Sequence, residues 1–220
     1  MKKLALGLSL SLLTLPVLAV PVTETFEDES TGATSFSQGG YSFTLSGDFA
    51  VEDSGANGWG SGGSQVYIET GVTASSDPVF GAFEIDNANS YFQINSFDAW
   101  GAIDGGNNGV SGSIEFVGTE YLSGLTFTAL IDISSSGTAW DQGLSLLGSN
   151  LENKDLISLS AATYINPNPL IPNNEFNYIS LDNINFDITT TTPPNKIPEP
   201  ATFLLMGAGL LVLRKRRTNT

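Results

Sequence analysis

The chain has 220 residues, with 23 acidic and eight basic side chains, a formal charge of −15, and neither histidine nor cysteine. Six of the basic residues (Lys2, Lys3, Arg214, Lys215, Arg216, Arg217) lie at the two ends, so the stretch between them sets only Lys154 and Lys196 against all 23 acids and carries −21. That balance excludes a phosphate-neutralising nucleic-acid surface. The missing histidine and cysteine exclude disulfide staples, imidazole base catalysis and histidine-dependent triads, and argue against zinc or copper.

Residues 1–19 read as a signal peptide. Lys2 and Lys3 form a basic start, Leu4 to Leu15 is apolar, Pro16 breaks the helix, and Val17-Leu18-Ala19 is a small-residue cleavage site. The apolar run is too short to span a bilayer comfortably, which favours cleavage over an uncleaved anchor.

Residues 20–188 are rich in Gly, Ser, Thr, Asn and aromatics, a composition that disfavours helices and suits short strands. Period-two alternation marks Tyr41–Leu45, Val66–Ile68, Phe83–Ile85, Phe92–Ile94 leading into Phe97–Trp100, Ile114–Phe116, Leu125–Thr128, Leu144–Leu146 and Ile184–Ile188. Turn signals fall at Gly55–Gly63, Asp104–Gly109, Ser134–Gly137 and Asn166–Asn174. About ten strands at this spacing predict an all-β fold, an antiparallel β-sandwich of jelly-roll type. Gly58 to Gly63 fits a G-x-G-x-x-G pattern, but no strand-helix unit surrounds it, so it reads as a surface loop.

Residues 189–197 form a stiff Thr/Pro linker. Residues 198–217 follow, with a three-residue tail at 218–220. Pro198-Glu199-Pro200 cannot enter a helix or a ladder and stays extended. The apolar run Ala201 to Leu213 reaches roughly 20 Å as a helix against a hydrocarbon core of about 30 Å. A short transmembrane helix is expected, with the deficit met by bilayer thinning and by snorkelling of Arg214 and Lys215. Arg214, Lys215, Arg216 and Arg217 form a cytoplasmic stop under the positive-inside rule.

Pro198-Glu199-Pro200, Ala201-Thr202, the glycine-containing apolar stretch and the closing basic cluster together resemble the PEP-CTERM sorting signal of Gram-negative bacteria. The resemblance implies an exosortase as processing partner, acting near Pro198–Pro200 after signal peptidase and the Sec machinery have exported the chain. It also implies a transient stage in the inner membrane, release to the cell surface or extracellular matrix, and association with exopolysaccharide or biofilm. A weaker resemblance covers the body. Thr25-Phe26-Glu27-Asp28 as a first strand and Tyr178 to Ile184 as the last are similar to jelly-roll modules of the carbohydrate-binding and MAM-like type, where adjacent first and last strands often hold a structural calcium.

That resemblance makes Glu27, Asp28 and Asp182 candidate calcium ligands, since calcium takes oxygen donors and would relieve the repulsion between clustered carboxylates. Solvated strand-edge charges are the plain alternative. Asp104 to Gly109 has the composition of a metal-binding turn without its spacing and reads as a hairpin loop. Trp59, Trp100 and Trp140, with Tyr41, Tyr67 and Tyr91, are candidates for a sugar-stacking platform. Core packing is the default for most of them, and Trp59, in a Gly-rich loop, is the candidate glycan contact. No catalytic spacing is present, and with 23 acids some pair will match glycosidase separations in any fold. The expectation is a non-enzymatic surface or matrix protein. A carbohydrate-binding module and a carboxylate-based glycan hydrolase or lyase are the alternatives.

Overall fold

A computed structural model of the chain describes residues 19–53, 61–63, 66–70, 79–102, 109–164 and 178–191. Their strands are β1 (Val20–Glu24), β2 (Ser35–Gln38), β3 (Tyr41–Gly47), β4 (Phe49–Asp53), β5 (Val66–Thr70), β6 (Phe80–Ile85), β7 (Ser90–Ala102), β8 (Gly109–Glu120), β9 (Thr126–Gly137), β10 (Asp141–Leu144), β11 (Leu156–Thr163) and β12 (Tyr178–Thr190), with a 3-10 turn at Ser61–Gly63. Every strand pair is antiparallel. This is the sandwich that the alternation predicts.

One layer runs β2-β3-β6-β11-β8, with β9 on the outer side of β8. The other runs β7-β12-β5-β4, with β10 on β7 and β1 on β12. The layers are joined only by the single pairs Ala102↔Gly109 and Leu156↔Phe92 among the described residues. Phenylalanines fill the space between them. Phe36 and Phe43 stack at 4.7 Å, and Phe43 meets Phe186 at 5.2 Å. Phe83, Phe92 and Phe186 meet one another at centroid distances of 5.6 to 5.9 Å. Removing one such ring costs about 3–5 kcal/mol, so this cluster carries the stability of a body that has no disulfide.

The strands differ from the sequence reading at several places. Leu144 to Leu146 is not a strand, since β10 ends at Leu144. Thr25 to Asp28 is not the first strand: β1 ends at Glu24, because Phe26 takes φ 58°, a left-handed conformation that interrupts a ladder. Ser134 to Gly137 is not a turn but the end of β9, paired through Ser134↔Ser111 and Gly137↔Gly109. β12 continues two residues past 188, with Thr189 opposite Tyr91 and Thr190 opposite Ser90. The compact unit accordingly ends at Thr190.

The long β7–β12 ladder changes phase midway. Ile179 and Leu181 face the core before Asn183, whereas Ile184, Phe186 and Ile188 face it afterwards. The register slips between Asp182 and Asn185 and again before Phe186, and Asn183 adopts φ 47° at that point. This is bulge behaviour, which re-aims side chains. Here it sends Asp182 away from the main core.

Gly81 of β6 lies under the buried ring of Phe49, and a Cβ at this position would come within 2.3 Å of the ring's Cγ. Gly81→Ala should lower stability by about 1–3 kcal/mol. A urea titration would show it as a lowered midpoint, and a midpoint equal to wild type would contradict this packing.

Candidate functional site

Upstream of the phase change, the side of the β5-β12-β7 sheet facing away from the phenylalanine core carries a second set of buried groups. Register aligns Ser180 with both Trp100 and Glu69, Tyr178 with Ala102, and Asp182 with Asp98. Tyr67 and Glu52 are partners on β5 and β4. Trp100, Ala102 and Tyr178 form a hydrophobic cluster separate from the main core, with Trp140 packed against it. Trp140 stacks on Trp100 at 6.5 Å and meets Tyr67 edge-on at 5.5 Å. The indole of Trp100 donates to the Gly137 carbonyl at 3.0 Å. Gly109 makes room for this contact, since a Cβ there would lie 2.5 Å from that indole nitrogen.

Beside the aromatics, Asp98 and Asp182 are buried neighbours on adjacent strands, at 8% and 0% exposure. Asp98 Oδ1 accepts the Gly143 N–H at 2.6 Å, and its Oδ2 accepts the Ser61 hydroxyl at 2.6 Å and the Asn183 amide at 2.9 Å. Asp182 accepts the N–H groups of Asn183 at 2.7 Å and Ser61 at 3.0 Å. Gln142 donates to Ser61 Oγ at 3.0 Å. Buried carboxylates without a cation are costly unless hydrogen-bonded. The donors here come from three separate segments, so the pair ties the Ser61 turn and β10 to the middle of the sheet.

Glu69 accepts the Ser180 hydroxyl at 3.3 Å. Burial, and then the charge of Glu52, push its carboxyl up to about 7, against hydrogen bonds from Ser180 and Tyr67 that act downward. Burial and the neighbouring Glu69 also hold the Tyr67 hydroxyl above its ordinary range. Elsewhere, at the end of β1, burial pushes Glu24 up to about 7, although the Phe26 N–H bonded to it acts the other way.

The structure does not gather the three expected calcium ligands. Glu27 is exposed and accepts the Val66 N–H at 3.2 Å, Asp28 is exposed, and Asp182 is buried with its oxygens bonded to N–H groups. Among the described residues no three acidic side chains lie close enough to share a metal ion. The adjacency of the two end strands is real, since β1 pairs with β12 from Val20↔Ile188 to Glu24↔Ile184. The phase change nevertheless turns Asp182 toward β7.

Of the sugar-platform aromatics, Tyr67, Trp100 and Trp140 come together. Tyr41 is bonded to Thr190 at 3.1 Å, and Tyr91 packs on Tyr121 at 5.3 Å. Trp59, the motif Pro198-Glu199-Pro200, the apolar tail and Arg214 to Arg217 lie outside the described residues. Sequence reasoning missed Asp98 and Glu69 as site residues. Each sits in an apolar-polar alternation that reads as a solvated strand face, and only the bonds from Ser61 and Gly143 to Asp98 and from Ser180 to Glu69 reveal otherwise.

Among known proteins, residues 196–217 match a described family motif. They carry the PEP-CTERM protein-sorting motif. The motif implies export and exosortase sorting to the envelope or surface of a Gram-negative bacterium. No curated protein matches the chain. Among solved structures, the chain is similar to a DUF4465 family protein from Bacteroides caccae, with 13% identity, a TM-score of 0.46, and coverage of 76% of this chain and 98% of that one. It is also similar to TmCBM61 in complex with β-1,4-galactotriose, with 9% identity, a TM-score of 0.36, and coverage of 68% and 88%. A third similar structure is the arabinose-bound MgGH51 α-L-arabinofuranosidase, with 13% identity and a TM-score of 0.42, where 78% of this chain matches 27% of that one.

The raised Glu24 gives a signed pH test. Its folded value of about 7 exceeds the ordinary 4.5 of a free glutamate, so the fold binds the protonated form better. This contribution to stability is full below about pH 4.5, is lost as pH rises toward 7, and is constant above. Glu24→Gln should therefore be more stable than wild type at pH 8, by on the order of 1–3 kcal/mol, and about equal to it at pH 4.5. Urea unfolding at both pH values would check this, and an equal difference at the two would contradict the burial of Glu24.

Proposed function

We propose that the protein is a non-enzymatic component of the bacterial surface or extracellular matrix, associated with exopolysaccharide. The observation that carries this reading is the PEP-CTERM motif at residues 196–217. In this reading the chain is exported through Sec, trimmed by signal peptidase, and held briefly in the inner membrane by the short apolar tail. An exosortase then acts near Pro198–Pro200 and frees the acidic sandwich. The properties of the body support such an end point. It is a Cys- and His-free β-sandwich whose stability rests on a phenylalanine core, and its high like charge favours solubility and opposes self-association.

A second reading, glycan recognition, is favoured by the Tyr67–Trp140–Trp100 contacts beside polar and acidic groups. It complements the first reading, since a matrix protein needs some means of engaging its polymer.

Replacing Pro198, Glu199 and Pro200 with alanine, or deleting Arg214 to Arg217, should leave the unprocessed form in the inner-membrane fraction and deplete the surface and matrix fractions. Immunoblotting of fractionated cells reads this directly, and normal processing of both variants would overturn the sorting route. The non-enzymatic part is tested separately. The purified protein should release no reducing ends or unsaturated products from the exopolysaccharide of its host, and release that disappears in Glu69→Gln would establish a hydrolase or lyase instead.

A further inference from the structure

We propose that the side of the β4-β5-β12-β7 sheet facing away from the phenylalanine core binds neutral polysaccharide, with Trp140 as the stacking platform and Glu69 and Gln142 as hydroxyl partners. The proposal rests on the matrix reading above and names the surface that would make the contact.

Three observations on this face point to a sugar. First, Trp140 is fixed yet keeps solvent contact. Its ring stacks on the buried Trp100 and lies edge-on to the buried Tyr67, while Trp140 itself is only partly buried. An aromatic ring held by two others has little rotamer freedom left to lose on binding, and this is the preorganisation that weak-contact ligands require. The C–H-rich face of a pyranose ring suits such a surface.

Second, polar groups are spaced around the platform without being consumed by a core. Gln142 is exposed, two residues from Trp140, and is oriented by its bond to Ser61. Glu69 is part-exposed and is oriented by Ser180. Glu52 lies diagonally from Glu69 on the adjacent strand, within about 7–8 Å between backbone positions. A platform with a few convergent hydrogen-bonding groups is the composition of a small-molecule site.

Third, the charge selects the polymer class. Glu52, Glu69, Asp98 and Asp182 all sit on this face, and the chain between its two basic ends carries −21. A uronate or sulfated chain would bring further anions to this surface and be repelled, whereas a neutral chain loses nothing.

The test uses full-length protein extracted from its host, with affinity electrophoresis and intrinsic tryptophan fluorescence against a soluble β-glucan, a galactan, a mannan and alginate. Retardation and a fluorescence change are expected with at least one neutral polymer, and at least tenfold weaker binding with alginate. Trp140→Ala should weaken the neutral interaction at least tenfold, with Trp140→Phe intermediate. Glu84→Gln, an exposed change on β6 in the other layer, should leave binding unchanged. Should Trp140→Ala unfold, Gln142→Ala, which removes an exposed side chain and its one bond to Ser61, should still weaken binding severalfold. Absence of binding to all three neutral polymers, equal affinity for alginate, or unchanged binding in both Trp140→Phe and Gln142→Ala would overturn the proposal. Normal surface delivery without polysaccharide binding would sink this inference and leave the sorting route intact. Binding by a protein whose tail variants are still processed normally would do the reverse.

Discussion

The β7–β12 ladder is the element on which the rest of the molecule depends. It runs from Tyr178↔Ala102 to Thr190↔Ser90, longer than either strand needs for a simple sandwich, and it changes phase in the middle. A strand with uninterrupted period two would give one apolar face from end to end. By inserting an irregularity at Asn183, the ladder presents Phe92, Phe186 and Ile188 to the main core at one end. At the other end, Trp100, Tyr178, Asp98 and Asp182 lie on the opposite side. One pair of strands thus supplies both the stability of the fold and the floor of the candidate site. The left-handed backbone at Asn183 is the local cost of that double use, and asparagine is among the few side chains that tolerate it.

The second constraint is electrostatic. The stretch between the two basic ends, with 23 acids and two lysines, cannot neutralise its carboxylates by ion pairing. Among the described residues the single ion pair is Lys154 with Glu120, at 3.3 Å. The fold uses backbone and hydroxyl donors instead. Glu29 accepts the Ser37 N–H, Asp86 the Thr44 hydroxyl, Asp141 both the N–H and hydroxyl of Ser134, and Glu152 the Gly148 N–H. The buried Asp98–Asp182 pair is the extreme case of the same solution. No buried side-chain polar atom among the described residues is left without a partner. Where donors are fewer, as at Glu24 and Glu69, burial shifts the carboxyl toward its neutral form.

Much of this architecture is legible in the sequence, and the failures have identifiable causes. Alternation located β3, β5, β6, β8 and β12 because each sets an apolar face against a polar one. The strands β2, β4 and β11 escaped notice. The first two offer only four and five residues, and in β11 small side chains such as Ala161 take core positions usually filled by larger ones. Ser134 to Gly137 has turn composition yet ends a strand, because pairing with β8 overrides local preference. The site was half visible. Asp182 stands out in a run of apolar residues, but nothing in the sequence states that a register slip will set it against Asp98. Likewise, Trp100 and Trp140 are forty residues apart, and only the pairing of β10 with β7 brings their rings together.

The separation of the two hydrophobic clusters bears on how function is accommodated in this molecule. A body without disulfides must keep its main core nearly invariant in volume, because large-to-small changes among packed phenylalanines cost several kcal/mol. The Trp100–Ala102–Tyr178 cluster lies on the opposite side of the sheet and does not share those contacts. Trp140 lies at its margin, and the Ser61 turn is held by side-chain and backbone bonds to Asp98 and Asp182 rather than by core packing. Substitutions at the rim of this face can therefore alter what it contacts without reaching the phenylalanine layer. The sorting motif occupies residues 196–217, none of which belongs to either cluster. Delivery, stability and surface chemistry thus rest on three different sets of residues, so each can be perturbed alone.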